Sequence, residues 1–315
     1  MKILVYGVGA IGSLMVHYLC TAGNEVTIVA RSTYEELKEN GLIIEHYLQN
    51  KKTTIDHPKV VKEADLSEKY DMVISVMQGQ QQLPLLETFS KLNTELIVLV
   101  GNNWECEKCE SYIKEQKTSK RVQFGFQNSA GHREGAKAVV GRLPTTELIV
   151  GGLHTAANPE DLKLLQEAFH TKGYKITAID DMYGYYMYHI AEIMPYAYIC
   201  YKYDYDLKKV TSNDIKMVMQ ATNECFNYLK SNNIKVMPPK EDEYYDGGIK
   251  KFMMSSLYRI MSKTVLGKLM VSDHCKNGIK EIKYLDDKFD DYRKNHPGTS
   301  MPTWDALRQY STGKL

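Results

Sequence analysis

Residues Lys2–Tyr6 form a short apolar run that leads directly into "GVGAIG", placing Gly7, Gly9 and Gly12 in G-x-G-x-x-G spacing. An amphipathic stretch follows, with Ile11, Leu14, Met15 and Tyr18 at helical spacing and Gly23 as its stop. Strand, glycine turn and helix in immediate succession leave few folds open, since this unit opens a βαβ series built on a parallel sheet. Gly7 makes the tight turn, Gly9 lets backbone N–H groups approach a pyrophosphate, and Gly12 lets the helix pack closely on the strand. The helix N-terminus adds partial positive charge for the phosphates. The expectation is a dinucleotide site formed by Gly7, Gly9, Ala10, Ile11 and Gly12.

Three further apolar runs, Glu25–Ala30, Asp71–Val76 and Leu96–Val100, lack period-two alternation, as strands of a sheet covered on both faces do. After the second of the four strands, "RSTYEELKENG" offers Ser32 and Glu35 as a capping box and Gly41 as a stop. From about residue 121 to 180, "VQFGFQ", "AKAVVG", "ELIVGG" and "YKITAID" read as late strands of the same sheet, with a helix opened by Asn158-Pro159 before the last. Beyond Asp181 long helical patterns take over, one of them capped by Ser212. The expected architecture is α/β: a doubly wound Rossmann domain over residues 1–180, then an all-helical domain over 181–315.

The end of the second strand bears on the choice of dinucleotide. NAD sites usually carry an acidic residue there, on the adenosine ribose. This chain reads "IVARST", with Ala30 at that point and Arg31, Ser32 and Thr33 after it. A guanidinium beside two hydroxyls suits a 2′-phosphate, so NADP(H) is favoured over NAD(H).

Charge excludes other classes. Forty basic and 39 acidic residues leave a net charge of +1, with no basic field for nucleic acid or an anionic membrane. No apolar run approaches the ~20 residues of a membrane span, and no signal-peptide pattern follows "MKILVYG", so the expected location is the cytoplasm. Cys106 and Cys109 form a lone C-x-x-C in "NWECEKCESY". Without a second pair the motif reads as a solvated helix surface, and no metal site is expected.

Further stretches occur in order along the chain: "GVGAIGSLMVHYL", "VTIVAR", "LIVLVGNNW", "FGFQNSAGHREG" with "GRLPTTELIVGG", and "GIKEIKYLD" followed by "SMP". In this succession the chain resembles the ketopantoate reductase (2-dehydropantoate 2-reductase) family over nearly its whole length. The resemblance implies a Rossmann domain followed by a helical domain like that of 6-phosphogluconate dehydrogenase. It also implies hydride transfer from NADPH to a small 2-keto acid in the cleft between the domains, a place in pantothenate biosynthesis, and pairing into a homodimer. Position by position, the family's cofactor arginine falls on Arg31. Its asparagine falls on Asn102 or Asn103 in "VGNNWE"; Asn102 is preferred, beside nicotinamide and reacting carbon, leaving Asn103 to the substrate. The glutamate that holds the substrate hydroxyl falls on Glu281, and the substrate-binding serine on Ser255 or Ser256.

Two positions depart from the family pattern. In "SVMQGQQ", Met77 takes the place of a lysine near the cofactor phosphates and Gln80 that of a later glutamine. In "DMYGYYMYHIAEIMPYAYIC", the general-acid lysine falls on His189, and two asparagines fall on Ile193 and Ala197. Reducing a ketone requires a proton as well as a hydride. An imidazolium, with a reference pKa of about 6.5, can supply it, and Glu281 across the cleft would hold His189 charged. Tyr185, Tyr188 and Tyr196 are alternative donors as phenols, and the bland alternative is a core histidine among packing tyrosines. Pro195 is expected to kink this helix or restart it, and the methionines at 253, 254 and 261 read as core filling. The expected function is an NADP-dependent oxidoreductase acting on 2-dehydropantoate or a related carbonyl compound. The alternative is a catalytically degenerate NADP(H)-binding sensor or regulatory protein.

Overall fold

The computed structural model describes residues 1–116 and 119–315. The chain divides into two compact units, Met1–Met182 and Tyr183–Leu315.

The first unit contains twelve strands among the described residues. They are β1 (Lys2–Tyr6), β2 (Glu25–Val29), β3 (Leu42–His46), β4 (Lys52–Asp56), β5 (Lys59–Val61), β6 (Met72–Val76), β7 (Leu96–Val100), β8 (Arg121–Gln127), β9 (Ala130–Glu134), β10 (Lys137–Gly141), β11 (Thr146–Gly151) and β12 (Tyr174–Ala178). Eight of them form one sheet in the order β12-β11-β8-β7-β6-β1-β2-β5. β1 lies inside it, parallel to both neighbours, with Leu4 opposite Thr27 on one side and Val73 on the other. Ile3, Leu4, Val5, Ile74 and Val98 have no solvent exposure, which is why these strands carry no alternation. At the far edge β11 turns antiparallel to β8 while β12 runs parallel to β11.

The remaining four strands make a second sheet, ordered β4-β3-β10-β9. This corrects the expectation that "AKAVVG" extends the first sheet: β10 pairs with β3, about ninety residues upstream, through Ala138↔Ile44. Local pattern cannot announce a partner so distant. The second sheet packs on helix α1 (Ala10–Thr21), so that Ala138 and Val140 share a core with Leu14, Met15 and Leu19. The single apolar stripe read from the sequence therefore understates α1, in which Ser13, Val16 and Leu19 are also buried. Helix α2 (Tyr34–Asn40) starts after Thr33 with no side-chain cap, so the Ser32–Glu35 capping box does not form; Gly41, at φ 74°, ends it. Asn158 does cap the helix Pro159–Ala168, accepting from the Glu160 and Asp161 amides. Cys106 and Cys109 lie on the helix Cys106–Glu115 and are buried rather than solvated, with burial raising both thiol pKa values, that of Cys109 to about 12.

The second unit is helical. Its first helix, Met182–Lys202, continues through Pro195 rather than restarting there. In the helix Ser212–Ser231 the cap is Thr211, not Ser212, and Asp214 completes a capping box. The helix Ile279–Asn295 buries Asp286, whose carboxylate accepts from Arg308 Nε and Nη2 at 3.0 and 2.9 Å and from the Tyr198 hydroxyl. Along the helix Gly248–Lys263, Met253 is exposed with Ile249, Phe252, Leu257 and Ile260, so it does not fill a core. Among the described residues no helix is long and apolar enough to cross a membrane.

Candidate active site

The glycine turn is braced from below and open above. Gly7 sits at φ 88°, and a Cβ there would lie 2.2 Å from the Val76 carbonyl oxygen; at Gly12 it would lie 1.8 Å from the Gly7 carbonyl oxygen. At Gly9, which precedes the first turn of α1, a Cβ would meet nothing within 4 Å. The Ser13 amide donates to Gly9 O at 2.9 Å and its hydroxyl to Val8 O at 3.2 Å, fixing the turn's backbone. This is the form that close approach of a pyrophosphate requires. Ala10 is buried and Ile11 half-buried in the same turn of helix.

At the end of β2, Ala30 is buried and Arg31 and Ser32 are exposed. Met77 lies against the glycine turn, its Cγ 2.6 Å from where a Gly7 Cβ would stand. The position at which the resemblance implies a lysine thus presents an apolar side chain against the turn. Gln80 donates to Gln78 Oε1 at 2.9 Å. Gln82, which the sequence reading missed, is fully buried and donates to the carbonyl oxygens of Met77 and Val100, at 2.9 and 3.1 Å. It ties the ends of β6 and β7 together; a buried glutamine in a short "QQQ" run carries no signal of that role. Of the two asparagines after β7, Asn103 turns its amide back onto Leu99 O at 3.0 Å, while the Asn102 carbonyl lies 2.8 Å from a Cβ position at Gly79. Asn103 thus closes the strand end, and Asn102 stands in the loop above it.

In the second unit, His189, Glu192 and Ile193 share one stripe of the helix Met182–Lys202 and are its less buried positions together with Tyr183 and the terminal Lys202, Tyr185 being stacked on His189 at 5.8 Å between ring centres. His189 Nδ1 lies 3.9 Å from Glu192 Oε2. Burial, with the neighbouring His274 adding repulsion, pushes the His189 pKa down to about 4, so the ring is neutral at ordinary pH. Glu192 moves the other way: burial first, then the charge of Glu241 beside it, hold its carboxyl well above the usual range. The Tyr245 hydroxyl donates to Glu192 Oε1 at 3.3 Å.

Glu281, in the first turn of its helix, is buried and meets His274, Oε2 to Nε2 3.6 Å. The sequence reading set Glu281 against His189 and did not see His274. Its helix Asp273–Asn277 is too short for periodicity to single out. The tyrosines Tyr188 and Tyr196 donate to backbone carbonyls, of Ile234 and Tyr258, and burial raises both phenol pKa values. Ser256 donates to Phe252 O at 2.8 Å within its own helix, and Ser255 is half-buried one residue before it.

The chain is similar to known proteins in its fold. Residues 3–139 match the family model described as ketopantoate reductase PanE/ApbA. No curated protein sequence compared with the chain matches it. Among solved structures, 2-dehydropantoate 2-reductase from Geobacter metallireducens GS-15 is similar at TM-score 0.71 and 17% identity, covering 100% of both chains. The Methylococcus capsulatus 2-dehydropantoate 2-reductase gives 0.66 and 18%, covering 100% of this chain and 96% of the other. A D-mandelate dehydrogenase with NADH and anilino(oxo)acetate gives 0.65 and 19%, covering 100% and 98%. The chain thus shares the fold of these 2-dehydropantoate 2-reductases from end to end, and its residues 3–139 match the ketopantoate reductase PanE/ApbA family model.

Proposed function

We propose that this protein is an NADP-dependent oxidoreductase that transfers hydride from NADPH to a small 2-keto acid, 2-dehydropantoate or a related carbonyl compound. The observation that carries the reading is the braced, open glycine turn, with Arg31 and Ser32 exposed at the end of β2 where a carboxylate would favour NAD. Bound NADPH would supply the hydride. Gly7, Gly9, Ala10, Ile11 and Gly12 would hold the pyrophosphate, Arg31 and Ser32 the 2′-phosphate, with Met77 and Gln80 lining the cofactor and Asn102 orienting the nicotinamide.

The proton follows from the pair on the Met182–Lys202 helix. Neutral His189 donates an N–H to the substrate carbonyl oxygen. As the carbonyl carbon becomes tetrahedral, that proton passes to the developing alkoxide, and the Glu192 carboxyl delivers its own to the other ring nitrogen. Glu192 ends as carboxylate, His189 as neutral imidazole and the substrate as alcohol, so the protons balance. Glu281 holds the substrate hydroxyl, with Asn103, Ser255 or Ser256 at the rest of the substrate. The test is a panel of 2-keto acids that includes 2-dehydropantoate, followed by loss of NADPH absorbance. Turnover of at least one member is expected. Tight NADPH binding without oxidation across the panel would replace this reading with that of an NADP(H)-binding sensor.

A further inference from the structure

Arg133 lies in the stretch "FGFQNSAGHREG", but no role was read for it in the sequence. It lies on β9, paired with Ala138, and its Nε and Nη2 are buried without a hydrogen-bond acceptor. Such a group is costly, because a desolvated guanidinium needs a countercharge and acceptors for its five N–H donors. Glu36 acts on it as a countercharge, yet Glu36 Oε1 already accepts from the Ala136 amide at 3.2 Å, and the Arg133 pKa is lowered by burial despite it.

The strand fixes where this cation sits. Residues 131 and 133 share one face of β9, and Gly135 stands in the turn that follows. A Cβ on Gly131 would be 3.1 Å from Ala10 Cβ, in the first turn of α1; one on Gly135 would be 3.4 Å from Glu36 Oε1, in the first turn of α2. Arg133 therefore lies on a strand segment whose neighbours on either side meet the first turns of α1 and α2, with Glu36 of α2 near enough to act on its charge. Buried Nε and Nη2 atoms without a protein acceptor, on a half-buried arginine at this place, point to a ligand anion as the partner that completes them.

We propose that Arg133 is a second guanidinium anchor for a phosphate of the bound dinucleotide, contributed by the second sheet and acting alongside Arg31. The proposal rests on the reading of the first unit as a dinucleotide site. The test is calorimetric titration of the full chain with NADPH and with NADH, for wild type, Arg133→Met and Arg133→Lys. Loss of charge-assisted bonds is expected to weaken NADPH by about 10- to 100-fold in Arg133→Met, and less in Arg133→Lys, which keeps the charge without the planar fork. A loss confined to NADPH assigns the 2′-phosphate, and an equal loss for NADH assigns the pyrophosphate; either supports the anchor. Methionine keeps the buried stem while removing an unpartnered charge, so its melting temperature without ligand is expected to be no lower than wild type. Affinities within twofold of wild type for both cofactors overturn the inference alone, as does a melting temperature that falls together with affinity. Wild-type protein that binds neither cofactor removes the dinucleotide reading itself.

Discussion

At the scale of single residues, two arginines and one helix stripe carry the testable chemistry. Arg31→Ala is expected to weaken NADPH by about tenfold or more while leaving NADH within about twofold, because a guanidinium on a phosphate makes charge-assisted bonds that NADH cannot offer. Paired fluorescence titrations check this, and equal losses for both cofactors would remove Arg31 from its role. Glu192→Gln keeps the shape of the helix stripe but holds no transferable proton, so kcat is expected to drop by about 100-fold with KM little changed. Wild-type turnover should persist below the raised Glu192 pKa and fade as pH climbs through it, a limb absent from the variant's residual rate. What the sequence offers of the proposed site is local: the glycines by their spacing, Arg31 by its place after β2, and the Asn102-Asn103 pair only through the family resemblance. Arg133, Gln82 and His274 do not, because each acquires its meaning from an element far away in the chain. His189 was readable as a chemical group but not in its charge, which burial and His274 decide.

Among the elements, strand and helix runs that are buried on all sides were the most readable: β1, β2, β6, β7 and α1 stand where apolar runs without alternation put them. The second sheet was not, since Lys52–Asp56 is polar and β10 finds its partner only after the chain has returned. The cap of the helix Ser212–Ser231 slipped by one residue to Thr211, because neighbouring hydroxyls compete for the position and backbone geometry chooses between them, while α2 starts after Thr33 with no side-chain cap at all. The glycine turn allows its two jobs to be separated. Gly9→Ala meets open space and has φ −68°, so it is expected to melt within a few degrees of wild type while losing cofactor affinity. Gly12→Ala drives a methyl group onto the Gly7 carbonyl oxygen, at 1.8 Å, and is expected to cost about 1–3 kcal/mol of stability or more. Melting curves with and without NADPH distinguish the two, and a strongly destabilised Gly9→Ala would contradict the open cradle.

For the whole molecule, acid is the revealing perturbation, since each unit holds one histidine whose pKa is about 4: His46, lowered by burial and then by Arg142, in the first, and His189 in the second. A folded pKa below the unfolded value of about 6.5 means that the unfolded chain binds more protons. The stability each ring contributes is therefore complete above pH about 6.5 and is lost as pH falls toward 4, by about 3 kcal/mol per ring. Glu192 pulls the other way, its neutral form being stabilised in the fold. The histidine share is thus best read as a difference: His189→Gln and His46→Gln should each flatten the fall in melting temperature between pH 6.5 and 4, and parallel curves would refute the assignment. The burial of α1 between two sheets has a consequence of its own. Its amides can reach deuterated solvent only when one layer or the other lifts away, so they should be among the slowest in the protein to exchange, with or without a guest molecule. On the proposed reading, the glycine turn is then a rigid socket made ready beforehand, and capture of a phosphate would spend little free energy on arranging it.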